Sequence, residues 1–436
     1  MGKRLDPRKR LRQEPPLREC PPPERGGQGP SLGLPEIPLF SLVTFVLFVL
    51  CVPRGSPPSP ATLSQAARQP GSSSLMIYVD ISAAVHRRAG LGRYAGSLAR
   101  ALVAPAGRRG EGSGGAFQYG FFYNRERGIE LLSGLEDVSA RTVSLGYKPW
   151  RMLVWAGQLT GIGFDHLLPN GRLFHATEHL LLPLQGMPTV LTVHDLIFRH
   201  LPEHHKRLNR WYLNWSLPLY CRRATRVIAV SECTRRDLMT AYGLPAEKIV
   251  VVHEAADPRF RPQSPERIDA VRKRYGLPER YVLFVGTIEP RKNLARLLHA
   301  FETVHTAGLT DALVLVGSRG WLYEGFFEEL ERSPARRAVI MPGYVPDEDL
   351  PAVYAGAQLL VFPSLYEGFG LPLLEAMACG TPVACSGTSS LPEVGGEAAR
   401  YFDPVSEAAI ADTLCVLFDD VRMGREEQNV LWEQSE

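Results

Sequence analysis

The sequence predicts an α/β protein built from two mainly parallel-sheet units that face a central cleft. From Met76 onward, short β-branched runs alternate with longer amphipathic ones, as in parallel sheets covered by helices. These strand-like runs fall into two sets, separated by the polar interval 257–278 (DPRFRPQSPERIDAVRKRYGLP). The length of 436 residues is too great for one ordinary core and suits two domains of roughly 150–200 residues each.

The first set comprises MIYVDIS (76–82), TVLTVHDL (189–196), RVIAVSE (226–232) and KIVVVHE (248–254). The second comprises YVLFVGT (281–287), ALVLVGS (312–318), AVIMPGY (338–344), QLLVFPS (358–364) and TPVACSG (381–387). Helical stretches lie between them, among them RYAGSLARALVA, ECTRRDLMTAYG, NLARLLHAFETV and DLPAVYAGA. The chain therefore reads as a Rossmann-like domain over residues 76–263 and a second over 264–436. No internal repeat at solenoid periods is present.

Residues 1–75 have a different composition. They hold ten Lys/Arg against five Asp/Glu and 14 of the 36 prolines. Of the formal net charge of +3, they carry +5, which leaves −2 for residues 76–436. The folded part thus lacks the basic excess expected of a nucleic-acid-binding protein. Within this extension, residues 37–53 are uncharged and centred on LFSLVTFVLFVLCV, at the short end of what a membrane helix needs. A cleaved signal peptide is disfavoured, because the charged leader is 36 residues long and Pro/Ser-rich sequence follows. Two readings stay open: a signal anchor with a positive cytoplasmic leader, and an upstream extension with no folded role. Seven cysteines without paired ligand spacing exclude a disulfide scaffold and a zinc ribbon.

Three motifs could carry chemistry. Gly90-Leu-Gly92-Arg93-Tyr94-Ala-Gly96 follows the first strand. Its G-x-G-x-x-x-G spacing is not the dinucleotide pattern, and no acidic strand end follows about 20 residues on; a structural turn and a ligand loop are equally compatible with it. Gly286-Thr-Ile-Glu-Pro-Arg291-Lys292-Asn293 follows the first strand of the second domain, where open α/β sheets bind ligands. Two cations at a helix start oppose the dipole unless an anion is recruited, so Arg291 and Lys292 are diphosphate ligands on this reading. The third motif, SLYEGFGLPLLEAMACGTPV (364–383), sets Glu367 on a loop and Glu375 near the start of the following helix. Gly368 and Gly370 make the loop flexible, Pro372 suits a helix start, and Gly380 with Pro382 ends the helix. Two carboxylates around an exposed helix start read as ribose and sugar ligands flanking a phosphate.

Together these residues resemble the retaining glycosyltransferases of family 4, which have the two-domain GT-B architecture and use nucleotide-activated sugars. The resemblance spans roughly residues 76–424. The wording GTIEPRKN, VLTVHDLIFRHLPE and VIAVSECTRRDL is most similar to bacterial mannosyltransferases of O-antigen-like or exopolysaccharide assembly. It implies an acceptor-side first domain and a donor-binding second domain. Arg291 and Lys292 would hold the donor diphosphate, Glu375 the ribose hydroxyls, and Glu367 the transferred sugar. Gly368, Phe369, Gly370 and Leu371 would form the donor loop, and Gly92 would lie in a loop closing over the donor. His194 matches the family's cleft histidine, although from the residues alone His194-Asp195 reads equally as a satisfied pair at a strand end.

The resemblance further implies a nucleotide-sugar donor as substrate, led by GDP-mannose with UDP-sugars as rivals, and no cofactor or metal. The acceptor would be a glycan or lipid-linked, with no nucleic-acid partner. The site of action would be cytoplasmic, at the inner face of the cell membrane by peripheral or anchored association. A catalytically silent nucleotide-sugar-binding protein is the rival from another class, against which the intact Arg291, Lys292, Glu367 and Glu375 stand. The one D-x-D, Asp347-Glu348-Asp349, precedes a helix and is expected to cap it. Ser231 is expected to cap the helix from Glu232, and Cys379 and Cys385 to be reduced core thiols. Two departures from the family stand out. His253-Glu254-Ala255-Ala256-Asp257 replaces a frequent N-G-x-D, and about one helix follows Asp403-Pro404 where the family adds a helix crossing back to the first domain.

Overall fold

The computed structural model describes residues 75–104, 117–126, 131–132 and 134–433, with side chains to residue 420. The Pro-rich extension and its apolar segment 37–53 lie outside the described residues. Among the described residues, no helix is long and apolar enough to cross a membrane.

Two parallel sheets organise the chain. The first contains β1 (Leu75–Asp80), β2 (Phe117–Asn124), β3 (Ala140–Val143), β4 (Gly171–Ala176), β5 (Thr189–Val193), β6 (Arg226–Ala229) and β7 (Ile249–Val251), in the order β3-β2-β1-β4-β5-β6-β7. The second contains β8 (Tyr281–Val285), β9 (Ala312–Val316), β10 (Val339–Gly343), β11 (Leu359–Phe362), β12 (Val383–Ser386) and β13 (Ala399–Phe402), in the order β10-β9-β8-β11-β12-β13. Every pairing is parallel. Both orders reverse direction beside the first strand, next to β1 and next to β8, and such reversals open a crevice at the strand ends.

The central strands are buried on both faces, as β5, β8 and β9 are throughout. This is why their sequences read as unbroken apolar runs and not as alternations. Helices cover them, with Leu297, Phe301 and Val304 from Leu294–Thr306 and Ile410, Leu414 and Leu417 from Glu407–Glu433 in the second core. Helix Pro265–Tyr275 fills half of the polar interval between the sheets; it is capped by Ser264, whose oxygen accepts from the Arg267 amide, and ended by left-handed Gly276.

Four strands escape the sequence reading. β2 is aromatic and interrupted by Gly120, β3 is a short edge strand, and β4 and β13 mix polar with apolar residues. Helices Tyr147–Thr160 and Arg207–Arg223 also escape it, the second because Pro218 lies inside it. The glycine-rich segment is a further correction. Gly90 and Gly92 lie in the first turn of helix Ala89–Val103, not in a loop. A side chain at Gly92 would come within 2.8 Å of the Ala83 carbonyl, so this glycine lets the helix pack on the turn Ser82–Val85.

Candidate active site

On the second unit, the chain leaves β8 through Gly286 and forms a tight turn over Pro290–Lys292. Asn293 takes the left-handed conformation there, with φ of 58°, which Asn tolerates better than most residues. Its side-chain amide donates to the carbonyls of Pro363 (3.1 Å) and Pro404 (2.7 Å), which pins the turn against the end of β11. Arg291 and Lys292 are thereby aimed at the loop 364–370. Both reach the same carboxylate oxygen of Glu367, at 2.7 and 2.5 Å. Arg291 also pairs with Glu289 at 2.5 Å and donates to the Tyr366 carbonyl at 2.8 Å. Burial alone would raise the Glu367 carboxyl, but Arg291 and Lys292 outweigh it and hold it at about 2. Burial and the neighbouring Arg291 lower the Lys292 ammonium, against the pull of Glu367.

The first unit brings His194 to this loop from the end of β5. Its Nε2 lies 2.9 Å from the Thr177 carbonyl and its Nδ1 3.1 Å from Glu254. Burial disfavours the imidazolium, yet Glu254 and the Thr177 carbonyl raise its pKa. Both ring nitrogens therefore donate in the charged form. Tyr94 packs edge-on to the ring at 4.8 Å. Glu254 belongs to the stretch that departs from N-G-x-D, so that departure supplies the histidine's counter-ion.

The two units meet at the donor loop. A Cβ on Gly368 would stand 1.8 Å from the His194 carbonyl, so only glycine allows this approach. The Gly368 carbonyl accepts from Ser231 Oγ (2.7 Å) and Thr234 Oγ1 (3.2 Å). Ser231 caps helix Glu232–Tyr242 as expected and also binds the loop. Phe369 and Gly370 follow, Phe369 buried beside His253 and Gly370 at φ of 129°, and Leu371 opens helix Leu371–Ala378.

Glu375 lies elsewhere in the cleft. It is fully buried, and its two oxygens are taken by Arg93 of the glycine-rich helix and by the Tyr354 hydroxyl (2.7 Å). Arg93 also bridges to Asp347 (3.1 Å), which pairs with Arg259 (3.0 Å). Asp349 joins Arg267, Arg274 and Tyr275. The D-x-D is structural but makes no cap bond; its carboxylates form tertiary ion pairs instead. Sequence reasoning assigned no role to Arg93 or Glu254 and read Asp347 only as part of a helix cap. The local signals were Arg93 beside Gly92 and the Glu254 stretch as a departure from N-G-x-D. Cys379 and Cys385 are free buried thiols, pushed up to about 11 and about 12 by burial.

A second polar group occupies the crevice of the first sheet. Asp80 ends β1 and Glu178 follows β4; both are buried, and Asp80 Oδ2 and Glu178 Oε1 have no hydrogen-bond partner. Burial and Glu178 push the Asp80 carboxyl up to about 7. A carboxyl raised on folding stabilises the fold fully below its unfolded pKa and loses that contribution as pH rises through the folded one. The Asp80 contribution is therefore lost between about pH 4, the ordinary carboxylate range, and about pH 7. Asp80→Asn is expected to flatten this part of the stability profile and to raise the melting temperature at pH 8, read by thermal unfolding across pH. An unchanged profile would show that Asp80 does not titrate there.

Comparison with known proteins agrees with the two-sheet fold. Residues 135–260 match the model described as Glycosyltransferase Family 4, and residues 268–429 match Glycosyl transferases group 1. The O-antigen chain mannosyltransferase B of Escherichia coli is 39% identical over 251 residues, which are 57% of this chain and 66% of that protein. The chain thus spans just under two thirds of that relative's length. Among solved structures, the sucrose-phosphate synthase of Thermosynechococcus elongatus superposes with a TM-score of 0.63 at 20% identity, covering 80% of this chain and 91% of the other. HepE of Anabaena, in complex with UDP and glucose, gives 0.58 at 20% identity over 80% and 91%. The chain thus carries a glycosyltransferase family 4 domain and a glycosyl transferases group 1 domain, one on each of two parallel sheets, in the GT-B fold of those solved structures.

Proposed function

We propose that the protein transfers a hexosyl group, led by mannose from GDP-mannose, to a glycan or lipid-linked acceptor of cell-envelope polysaccharide, with retention and without a metal. The observation that carries this reading is the Arg291–Lys292–Glu367 cluster at the crevice beside β8, on the loop whose Gly368 abuts the His194 backbone. The leaving group is a nucleoside diphosphate, so catalysis consists largely in stabilising charge that develops on its phosphates. Arg291 would offer a fork and Lys292 a point charge to that diphosphate. As the bond from C1 to the diphosphate oxygen breaks, its electron pair goes to the leaving group. The acceptor hydroxyl then bonds C1 on the same face and gives its proton to the diphosphate. Glu367, held ionised by its two cations, would accept from a sugar hydroxyl as positive charge grows on the ring. The mannosyl donor is supported by the name of the 39%-identical relative; the UDP-bound HepE structure keeps a UDP-sugar as the second reading.

The test is a panel of GDP-mannose, UDP-glucose, UDP-N-acetylglucosamine and ADP-glucose, with released nucleoside diphosphate measured for each in excess EDTA. GDP-mannose should be turned over fastest, at the same rate with and without the chelator. Preference for a UDP-sugar would change the donor. Loss of turnover restored by Mn²⁺ or Mg²⁺ would overturn the charge assignment to Arg291 and Lys292.

A further inference from the structure

Three histidines gather where β4 and β5 end, and their partners differ. His175 meets the Thr192 hydroxyl through Nε2 at 2.8 Å, and the Tyr94 hydroxyl reaches the same oxygen at 3.2 Å. His179 Nε2 accepts from the His194 amide at 3.1 Å, a bond that needs this nitrogen bare. Burial keeps both of these rings neutral, pushed down to about 4. His194 has other surroundings. Its Nδ1 stands 3.1 Å from a Glu254 oxygen and its Nε2 2.9 Å from the Thr177 carbonyl. The His194 and Glu254 side chains are only 10% and 7% exposed. A neutral imidazole carries one N–H, so it can serve only one of these two acceptors. With Glu254 ionised, both contacts need the imidazolium, a buried charge kept by its partner. Asp195 adds to the pull on the ring, while one of its oxygens accepts from the Ile197 amide.

The backbone of the same residue is committed too. The His194 carbonyl accepts from Thr234 Oγ1 at 3.2 Å and lies against Gly368. The Gly368 carbonyl in turn takes the Ser231 and Thr234 hydroxyls. His194 therefore ties Thr177, just past β4, and Glu254, just past β7, to the seat of the donor loop. Both of its ring nitrogens are engaged within the protein. We infer that Glu254 keeps His194 in its doubly donating form, and that His194 is a positioning residue, which fixes the seat of the donor loop and takes no proton from the acceptor. Loss of the ring proton would turn one contact into two facing lone pairs, a buried acceptor left unpaired, and the seat beneath Gly368 would shift. The inference rests on the transferase reading, in which the acceptor proton goes to the diphosphate. It concerns this chain's own departure from N-G-x-D, since Glu254 lies in that stretch.

Two measurements on the full chain test it, and the first needs no turnover. Histidine is labelled with ¹⁵N, and the His194 signals are identified by their loss in H194Q. Wild-type His194 should keep both ring nitrogens protonated to a pH about one unit above that of E254Q, roughly a tenfold difference in proton affinity. E254D, which keeps the charge, should stay near the wild type. The second measurement is kcat/KM against pH with the donor turned over fastest. Turnover should fall on the alkaline side as His194 loses its proton. In E254Q that fall should move to lower pH by the same interval, so the deficit of the variant shrinks as pH drops. E254D should keep the position of the wild-type profile. Equal titration of His194 in wild type and E254Q would overturn the assignment of its charge to Glu254. A displaced titration with an unmoved kcat/KM profile would overturn the positioning role. So would turnover that rises as His194 loses its proton, the mark of a general base. Failure of every donor would sink the transferase reading and the positioning role with it, and the ¹⁵N titration would still decide the Glu254–His194 pair.

Discussion

Arg291→Ala is expected to lower kcat/KM by about 10²–10³-fold, the usual loss when one preorganised donor to a developing oxyanion is removed. It is also expected to weaken binding of free GDP, because the fork that would meet the diphosphate is gone. Stability should fall as well. Arg291 neutralises Glu289 and shares Glu367 with Lys292, and breaking a buried ion pair from one side costs about 3–5 kcal/mol. Arg291→Lys separates the two effects, since it restores a charge near Glu289 and Glu367 but not the planar fork. Melting temperature should recover partly in the lysine variant while GDP affinity stays low, measured by thermal unfolding and calorimetric titration. Recovery of affinity with charge alone would show that Arg291 acts as a point charge.

The second large effect divides the two glutamates. Glu367→Gln should slow turnover by about 10²-fold or more, since the lost contact is one that strengthens in the transition state. GDP affinity should hold or rise, because Arg291 and Lys292 lose a competing carboxylate. Glu375→Gln should raise the donor KM and weaken GDP binding, a loss on the order of 1–3 kcal/mol for ribose hydroxyls left unpaired. Arg93 and Tyr354 occupy the Glu375 oxygens, so a ribose bound by Glu375 would have to displace Arg93. Arg93→Met should accordingly tighten GDP binding. Equal losses of affinity in the two glutamate variants would end the division of roles.

What the sequence made legible depended on how local each signal was. β8 and β9, YVLFV and ALVLV, are strands by composition alone, because central parallel strands are apolar on both faces. β3 and β13 are four-residue strands with partly exposed residues and carry no comparable signal. Within the site, Arg291, Lys292, Glu367 and Glu375 were readable because each sits in a contiguous motif. Arg93 was not, since its partners Glu375 and Asp347 lie more than 250 residues away. Glu254 was visible only as a mismatch to a family pattern; that it faces His194 is decided by the packing of β5 against β6 and of β6 against β7.

Glu393 bonds two amides at the start of helix Glu232–Tyr242 and pairs with the half-exposed His253. Arg93 in turn binds the fully buried Glu375. Both contacts join the two units, but water can replace only one of them at little loss. Amides and a carboxylate at the exposed rim remain hydrated when parted, whereas separating Arg93 from Glu375 strands a charge in a dry interior. Resistance to parting is therefore uneven from contact to contact: the rim pairing yields to water, whereas the Arg93–Glu375 pair would yield only to a group that takes the place of one of its halves.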